Sequence, residues 1–210
     1  RVDAVDDIHQ LFLLAIAEKD ASNADAYAAR LEGTSRYPEA VLALGRFYAS
    51  FGQPLKAREY FDRITGMDTP KPVAIDARKE VARILIDDGA ASEARDLLIA
   101  LPPERNDSLW NLLYARASID TGRQQEAAAV ILPDLKGIAR TPGAEQLFTA
   151  IAQYLFESGE AEKLRTIANE MQIQKMPAAA ELQIMAGLAF FEMRNYRLSQ
   201  QLLSRQNLRD

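Results

Sequence analysis

An internal repeat marked by glycine constrains the fold more than any other feature of this sequence. Gly52, Gly89 and Gly122 each follow an apolar stretch and stand five residues before an alanine. They are 37 and 33 residues apart, and Gly159 and Arg194 continue the series after a further 37 and 35. A nearly constant period of this size is typical of repeat architectures. We call these five positions, the four glycines and Arg194, the marks of the repeat. A small residue stands seven positions before each mark: Gly45, Ala82, Ala115, Ala152 and Gly187.

Each copy is predicted to form two amphipathic helices joined at the mark. In the first copy, apolar residues recur at helical spacing on both sides of Gly52-Gln53-Pro54. Pro54 is suited to open the second helix, because its missing N–H is not needed there. We expect Gly45 and Ala57 to form the close contact of this pair, since a larger side chain would hold the helix axes apart.

The order of residues in the first copy resembles the tetratricopeptide repeat (TPR) family, whose unit has about 34 residues. The matching residues are Leu44-Gly45, Tyr48, Gly52, Ala57, Phe61 and Pro70. Later copies match more loosely, with Ser118 in place of an aromatic residue and Leu164 in place of the alanine. The resemblance implies an all-α fold, a right-handed superhelical solenoid of antiparallel helix pairs.

The predicted organisation is one solenoid fragment over residues 1–210, with about five repeats plus an N-terminal helix pair. Because the chain opens at Arg1, we interpret it as part of a longer protein. The extra helix pair, at 4–33, has no register assigned to it. The repeats are placed near 38–71, 72–104, 105–141, 142–177 and 178–207.

Composition excludes several classes of function. The chain has no cysteine, so disulfides and thiolate metal sites are excluded. A net charge of -5 argues against a general nucleic-acid partner, which needs clustered Lys and Arg. The longest charge-free apolar runs are near ten residues, about half of what a membrane span needs.

No linear motif supports catalysis. Glycine-rich phosphate loops, nucleophile elbows and zinc motifs are absent from the sequence. We interpret His9, beside Asp6 and Asp7, as a partly exposed helical residue, and the pair Asp87-Asp88 as a solvated helix end. The chain is therefore predicted not to be an enzyme, with no catalytic, cofactor-binding or metal-binding residue.

Trp110 leaves two interpretations open. It could be an exposed anchor for a partner, since Trp is enriched in binding hot spots. It could instead pack into the preceding repeat, which is the more common situation for a Trp near the first helix of a repeat. Asn106 or Asp107 is expected to cap the helix that carries it.

The TPR resemblance implies an inner wall built from the first helix of each pair. Arg46, Arg83 and Arg116 each follow the small residue of their copy, and we call these three residues the arginine column. An anionic segment with an apolar flank would suit such a wall. The alternative is that Arg83 and Arg116 only pair with Asp87 and Asp120, four residues on. The predicted partner-binding residues on the concave face are Arg46, Lys79, Arg83, Arg116, Gln153, Phe156, Leu188 and Phe191.

The predicted function is a non-catalytic scaffold for protein partners. The degenerate, cysteine-free repeats resemble the periplasmic TPR arrays of bacterial exopolysaccharide export proteins, which would imply a polysaccharide-modifying enzyme or the polymer as partner. Two alternatives are a cytoplasmic co-chaperone module and a carbohydrate-binding solenoid. The co-chaperone interpretation is disfavoured, because modules of that kind bind a C-terminal carboxylate with Lys and Asn side chains. Leu42, Leu109 and Leu113 stand at such positions here.

Overall fold

The structure, a computed structural model, describes residues 2–65, 71–102 and 107–204, except the side chains of residues 2 and 3. Within these ranges every regular element is a helix, which confirms the predicted all-α class. None of the described helices is long and apolar enough to cross a membrane. Pro70 of the predicted repeat pattern and Asn106 of the predicted cap lie outside the described residues.

The chain divides into two compact units, Arg1–Leu101 and Pro102–Asp210. The first unit holds α1 (Val2–Ala17), α2 (Ala21–Arg30), α3 (Tyr37–Ser50), α4 (Pro54–Thr65), α5 (Lys71–Asp87) and α6 (Ala91–Ile99). Its consecutive helices pack side by side, and the first helices α1, α3 and α5 also contact one another in sequence. The single continuous array over the whole chain stays a prediction.

The second unit follows the same plan with one interruption. It holds α7 (Ser108–Asp120), α8 (Gln124–Ile131), α9 (Leu135–Ile138), α10 (Ala144–Glu157), α11 (Ala161–Ile173), α12 (Ala179–Glu192) and α13 (Tyr196–Ser204). A short 3₁₀ turn, Leu132–Asp134, separates α8 from α9. Pro133 lies in this turn, and its missing N–H and its ring are incompatible with an uninterrupted α-helix.

The turn inside each helix pair is the same motif in every copy. At Gly52, φ is +68°, the N–H of Gln53 donates to the Tyr48 carbonyl over 3.0 Å, and the N–H of Gly52 donates to the Ala49 carbonyl over 3.1 Å. This is a Schellman turn, which satisfies the last carbonyls of a helix and needs a left-handed residue. The corresponding bonds recur at Gly89, Gly122 and Gly159. The glycine marks of the sequence are thus the left-handed residues of these turns.

The first helix pair has the same turn, although no register could be assigned to it from the sequence. Lys19 adopts a φ of 62°, and the N–H of Asp20 donates to the Ala15 carbonyl over 2.9 Å. Lys19 is 33 residues before Gly52, so the pair is in register with the later copies. The register was missed because a lysine occupies the position that glycine marks elsewhere.

The close contact of the α3–α4 pair differs in one partner from the predicted one. Gly45 is buried, but the atoms nearest to a Cβ built on it belong to the Phe61 ring and not to Ala57. Gly187 stands in the same register in α12, where an added Cβ would lie 2.8 Å from the Leu203 side chain. The small residue therefore makes room for a large side chain of the second helix.

Trp110 is a packing residue of the second unit. Only 8% of its surface is exposed, and its ring stacks on Tyr114 with centroids 4.8 Å apart. The Asp107 carboxylate accepts a hydrogen bond from the Trp110 N–H over 2.9 Å, which confirms Asp107 as a cap of α7. The structure thus makes Trp110 a buried residue and not an exposed anchor.

Candidate functional site

Two adjoining cavities lie along the first helices of the first unit. The α1–α3 cavity has a volume of about 570 Å³ and is lined by Ile16, Leu42, Phe47 and Phe51 among others. The α3–α5 cavity has a volume of about 470 Å³. Arg46 and Ser50 line both cavities, so the two form one groove, which we call the α1–α3–α5 groove.

Three charged side chains bind one another where the two cavities meet. Nε of Arg46 donates to Oε1 of Glu80 over 2.7 Å, and Nη2 of Arg83 lies 2.9 Å from the other carboxylate oxygen, Oε2. The Glu80 side chain is only 10% exposed, whereas the two arginine side chains are 46% and 41% exposed. Asp76 adds a second carboxylate 3.7 Å from Arg46. Glu80 thus holds both guanidinium groups at the wall of the groove.

The structure assigns the arginine column partners that the sequence interpretation did not include. Arg46 had no partner in its own helix, and its partners Glu80 and Asp76 come from α5 of the next helix pair. Arg83 pairs with Glu80, three residues before it. Arg116 belongs to the second unit, where it is half-buried and lines a cavity of about 360 Å³ with Asp120 and residues of α10.

Lys79 does not fit its predicted place on the binding wall. Its side chain is buried, with 2% of the residue exposed. Helical spacing assigned Lys79 to the wall because it lies four residues before Arg83. The packing of α5 against its neighbours leaves too little of Lys79 exposed for it to form part of a binding wall.

The remaining predicted wall residues lie in the second unit and differ in exposure. Gln153 is exposed, and its amide donates to Oε1 of Glu157 over 2.6 Å. Phe156 is half-buried. Leu188 and Phe191, both on α12, are 46% and 57% exposed. These two side chains lie on one apolar face of α12.

A second cluster ties α2 to α3 and α4, and sequence spacing gave no sign of it. The Asp25 carboxylate accepts hydrogen bonds from the hydroxyls of Tyr48 and Tyr60 over 2.7 and 2.8 Å. The two rings stack with centroids 5.5 Å apart, and the Lys56 ammonium lies 3.7 Å from the centroid of Tyr48. Burial and the neighbouring Asp25 raise the pKa of both tyrosines above the usual value of 10.0.

The described residues provide no arrangement for metal chemistry. Within the three described ranges, no group of three or more His, Asp or Glu side chains is placed to hold a metal ion. His9, the sole histidine of the sequence, stacks on the buried Phe12 with centroids 6.2 Å apart. His9 is half-buried near the middle of α1.

Comparison with known proteins identifies the fold. No family model and no curated protein sequence matches the chain. The crystal structure of YrrB, described as a TPR protein with an unusual peptide-binding site, is similar at a TM-score of 0.61 and 12% identity, covering 85% of this chain and 89% of that chain. A Podosopora anserina chain, assigned as a kinesin light chain with nearly identical TPR-like repeats, is similar at a TM-score of 0.53 and 19% identity, covering 84% and 96%. The chain therefore has an all-α helical repeat fold of the TPR type.

Proposed function

We propose that this chain is a non-catalytic scaffold that binds a segment of a partner protein in the α1–α3–α5 groove. The observation that most directly supports this proposal is the pair of adjoining cavities that share Arg46 and Ser50. Their combination of buried apolar floor and a few placed polar groups is typical of binding sites. The peptide-binding site named for YrrB belongs to a protein of the same fold and supports this choice of ligand class.

The spacing of the two cavities fits a short stretch of polypeptide. Neighbouring packed helices lie about 8 to 10 Å apart, which about three residues of extended chain span. A partner segment can therefore place one side chain in each cavity while its backbone runs over Arg46. The Arg46 side chain is 46% exposed, and its guanidinium is held in place by Glu80, so it does not need to be ordered on binding.

A bulky side chain at Ser50 tests this proposal. Ser50 is exposed at the end of α3 and lines both cavities, so Ser50→Trp should fill the groove without entering the core. Ser92, exposed on α6, provides the matched control Ser92→Trp. Affinity capture followed by mass spectrometry should show proteins retained by the wild type and by Ser92→Trp but lost with Ser50→Trp. Retention of the same proteins by Ser50→Trp, with an unchanged circular dichroism spectrum, would overturn the groove as the binding site.

The exposed apolar face of α12 is a second contact surface in this proposal. Leu188 and Phe191 expose side chains that a partner would remove from water. Phe191→Ser should weaken capture of the partner, while the helical spectrum stays unchanged because the ring is 57% exposed. Unaltered capture would restrict recognition to the groove.

At a finer level, we propose a periplasmic exopolysaccharide export system as the setting. The support is compositional: a cysteine-free, degenerate array rich in Ala and Leu. The partner would then be a polysaccharide-modifying enzyme. Affinity capture from a bacterium that exports such a polymer, with and without the soluble polymer as competitor, distinguishes an enzyme partner from direct carbohydrate binding and from a cytoplasmic role. Loss of capture with the polymer points to carbohydrate binding, whereas recovery of cytoplasmic chaperones alone contradicts the periplasmic setting.

A further inference from the structure

We propose that the α1–α3–α5 groove selects partner segments that carry an apolar side chain and, about three residues from it, a lysine or arginine. The apolar side chain occupies the α1–α3 cavity, and the basic side chain occupies the α3–α5 cavity. This inference rests on the proposed binding function and adds the chemistry of the partner.

The α3–α5 cavity carries more negative than positive charge. Three carboxylates, from Glu80, Asp87 and Asp88, line it against the two guanidinium groups of Arg46 and Arg83. Glu80 already binds both arginines, so their positive charge is largely compensated before any partner arrives. Asp76, 3.7 Å from Arg46, compensates it further. Counting Asp76, Glu80 and Asp88 against the two arginines, the formal charge around the cavity is negative without any contribution from Asp87.

The end of α5 adds to this negative field. The helix ends at Asp87, and no basic residue lies in its last turn. The carbonyl end of a helix carries a partial negative charge, which favours a nearby cation. Asp88 follows directly and is exposed beside the cavity. A basic side chain of the partner would lie close to this helix end and to Asp88.

The α1–α3 cavity has a different chemistry. Phe51 is 46% exposed at its wall, and Leu42 and Phe47 are buried beneath it. The charged residues in its lining are Lys19, Glu39 and Arg46. Glu39 lies 3.6 Å from Arg36, and Arg46 is bound to Glu80. An apolar side chain placed here gains burial against the rings of Phe47 and Phe51.

The same geometry disfavours the anionic segment that the arginine column suggests from sequence. An acidic side chain would have to compete for the two arginines with Glu80, which contacts both at 10% exposure. The whole chain carries a net charge of -5, which further favours the approach of a basic segment.

Labelled model peptides test the selection directly. The probes are fluorescein-labelled peptides of about ten residues on a Gly-Ser background, spanning the groove with a margin. Three peptides are compared, and each has one residue meant for the α1–α3 cavity and one meant for the α3–α5 cavity. These two residues are Phe and Lys in the first peptide, Phe and Glu in the second, and Ser and Lys in the third. Fluorescence anisotropy should show the Phe–Lys peptide binding about tenfold more tightly than the other two at about 50 mM salt, with the advantage over Phe–Glu shrinking at high salt.

A charge reversal in the groove provides the second readout. Asp88→Lys should weaken binding of the Phe–Lys peptide about tenfold and improve binding of the Phe–Glu peptide. Glu59→Lys, at an exposed position of α4, is the control with the same change in net charge and should leave both affinities unchanged. An equal loss in both variants would mean a general charge effect and would overturn the assignment of the basic side chain to this cavity.

The remaining outcomes separate this inference from the proposed function. Tighter binding of the Phe–Glu peptide, blocked by Ser50→Trp, would overturn the charge preference and leave the groove as a binding site. Equal binding of the Ser–Lys and Phe–Lys peptides would overturn the apolar position. No binding of any peptide, together with partner capture that Ser50→Trp abolishes, would overturn the selection rule alone. Capture that survives Ser50→Trp would contradict the proposed function itself.

Discussion

Arg194 occupies the left-handed turn position that glycine fills in four other copies. Its φ is 59°, and the N–H of Asn195 donates to the Phe190 carbonyl over 2.8 Å. The left-handed conformation costs a residue with a Cβ about 1 kcal/mol or more. Replacing it by glycine removes this cost, but the greater freedom of glycine in the unfolded chain offsets part of the gain. We expect Arg194→Gly to raise the free energy of unfolding by about 0.5 to 1 kcal/mol, measured by urea denaturation. Gly159→Ala, the converse change, should lower it by a similar amount.

Ser118 places a hydroxyl in the core where the TPR pattern expects an aromatic residue. The residue is fully buried, and its Oγ has no hydrogen-bond partner. A buried unpaired hydroxyl costs about 1 to 3 kcal/mol. Ser118→Ala should therefore raise the free energy of unfolding by about 1 kcal/mol. Ser158→Ala serves as the control, because its exposed hydroxyl is bonded to the Tyr154 carbonyl, and a gain of the same size there would contradict the explanation.

At the level of the helix pair, two glycines in the same register face different neighbours. A methyl group on Gly45 would overlap the Phe61 ring, whereas on Gly187 it would meet the flexible end of Leu203. Gly45→Ala should thus cost about 1 to 3 kcal/mol, because the rigid ring forces α3 and α4 apart. Gly187→Ala should cost less, since Leu203 can adopt another rotamer and alanine favours the helix by about 1 kcal/mol. Thermal melts of both variants provide the comparison.

The Asp25 cluster predicts a loss of stability at alkaline pH. The pKa of Tyr60 is raised because burial and the hydrogen bond to Asp25 favour its neutral form. A group with a raised folded-state pKa contributes stability that is present below its unfolded pKa near 10 and is lost as pH rises towards the folded value. The free energy of unfolding should fall above pH 10. Tyr60→Phe should flatten this fall, while costing about 1 kcal/mol at pH 7 through the lost hydrogen bond. An unchanged alkaline slope in Tyr60→Phe would contradict the assignment.

Local signals in the sequence were enough to predict the helix pairs. Glycine at a Schellman turn and a small residue seven positions earlier are both short-range features, and they identified the pairs from Gly45 onwards. The first pair kept its geometry without its marker, because Lys19 tolerates the left-handed conformation there. Pro133 was visible in the sequence, but its interruption of the second helix was not predicted.

The candidate site was less predictable, because its key contact joins different helix pairs. Arg46 and Glu80 are 34 residues apart, and spacing within one helix cannot connect them. Arg46 directly follows the small residue Gly45, and Glu80 stands two positions before Ala82, the small residue of the next copy. An alignment of the copies could therefore have suggested these two positions as a pair. The burial of Lys79 depends on the packing of whole helices, which helical spacing alone does not determine.

At the scale of the whole molecule, the division into two compact units predicts separable unfolding. The single tryptophan, Trp110, lies in the second unit, so its fluorescence reports that unit alone. Gly45→Ala changes the first unit. We expect this variant to shift the circular dichroism transition, which reports both units, more than the Trp110 fluorescence transition. Equal shifts in both signals would show that the chain unfolds as one cooperative array.

The constant intervals within the helix pairs have a consequence for how such a chain can change its length. From Gly45 onwards, the small residue of each of the five pairs stands seven positions before the left-handed turn residue. The differences between the 33- and 37-residue spacings fall between that turn residue and the small residue of the next pair. Inserting one residue within a pair would rotate one apolar stripe by about 100° away from the other. Added loop between pairs costs little, because closure entropy grows slowly with length. The helical hairpin is therefore the smallest part that duplication, deletion or exchange can move intact, and chimaeras joined between hairpins should retain each core.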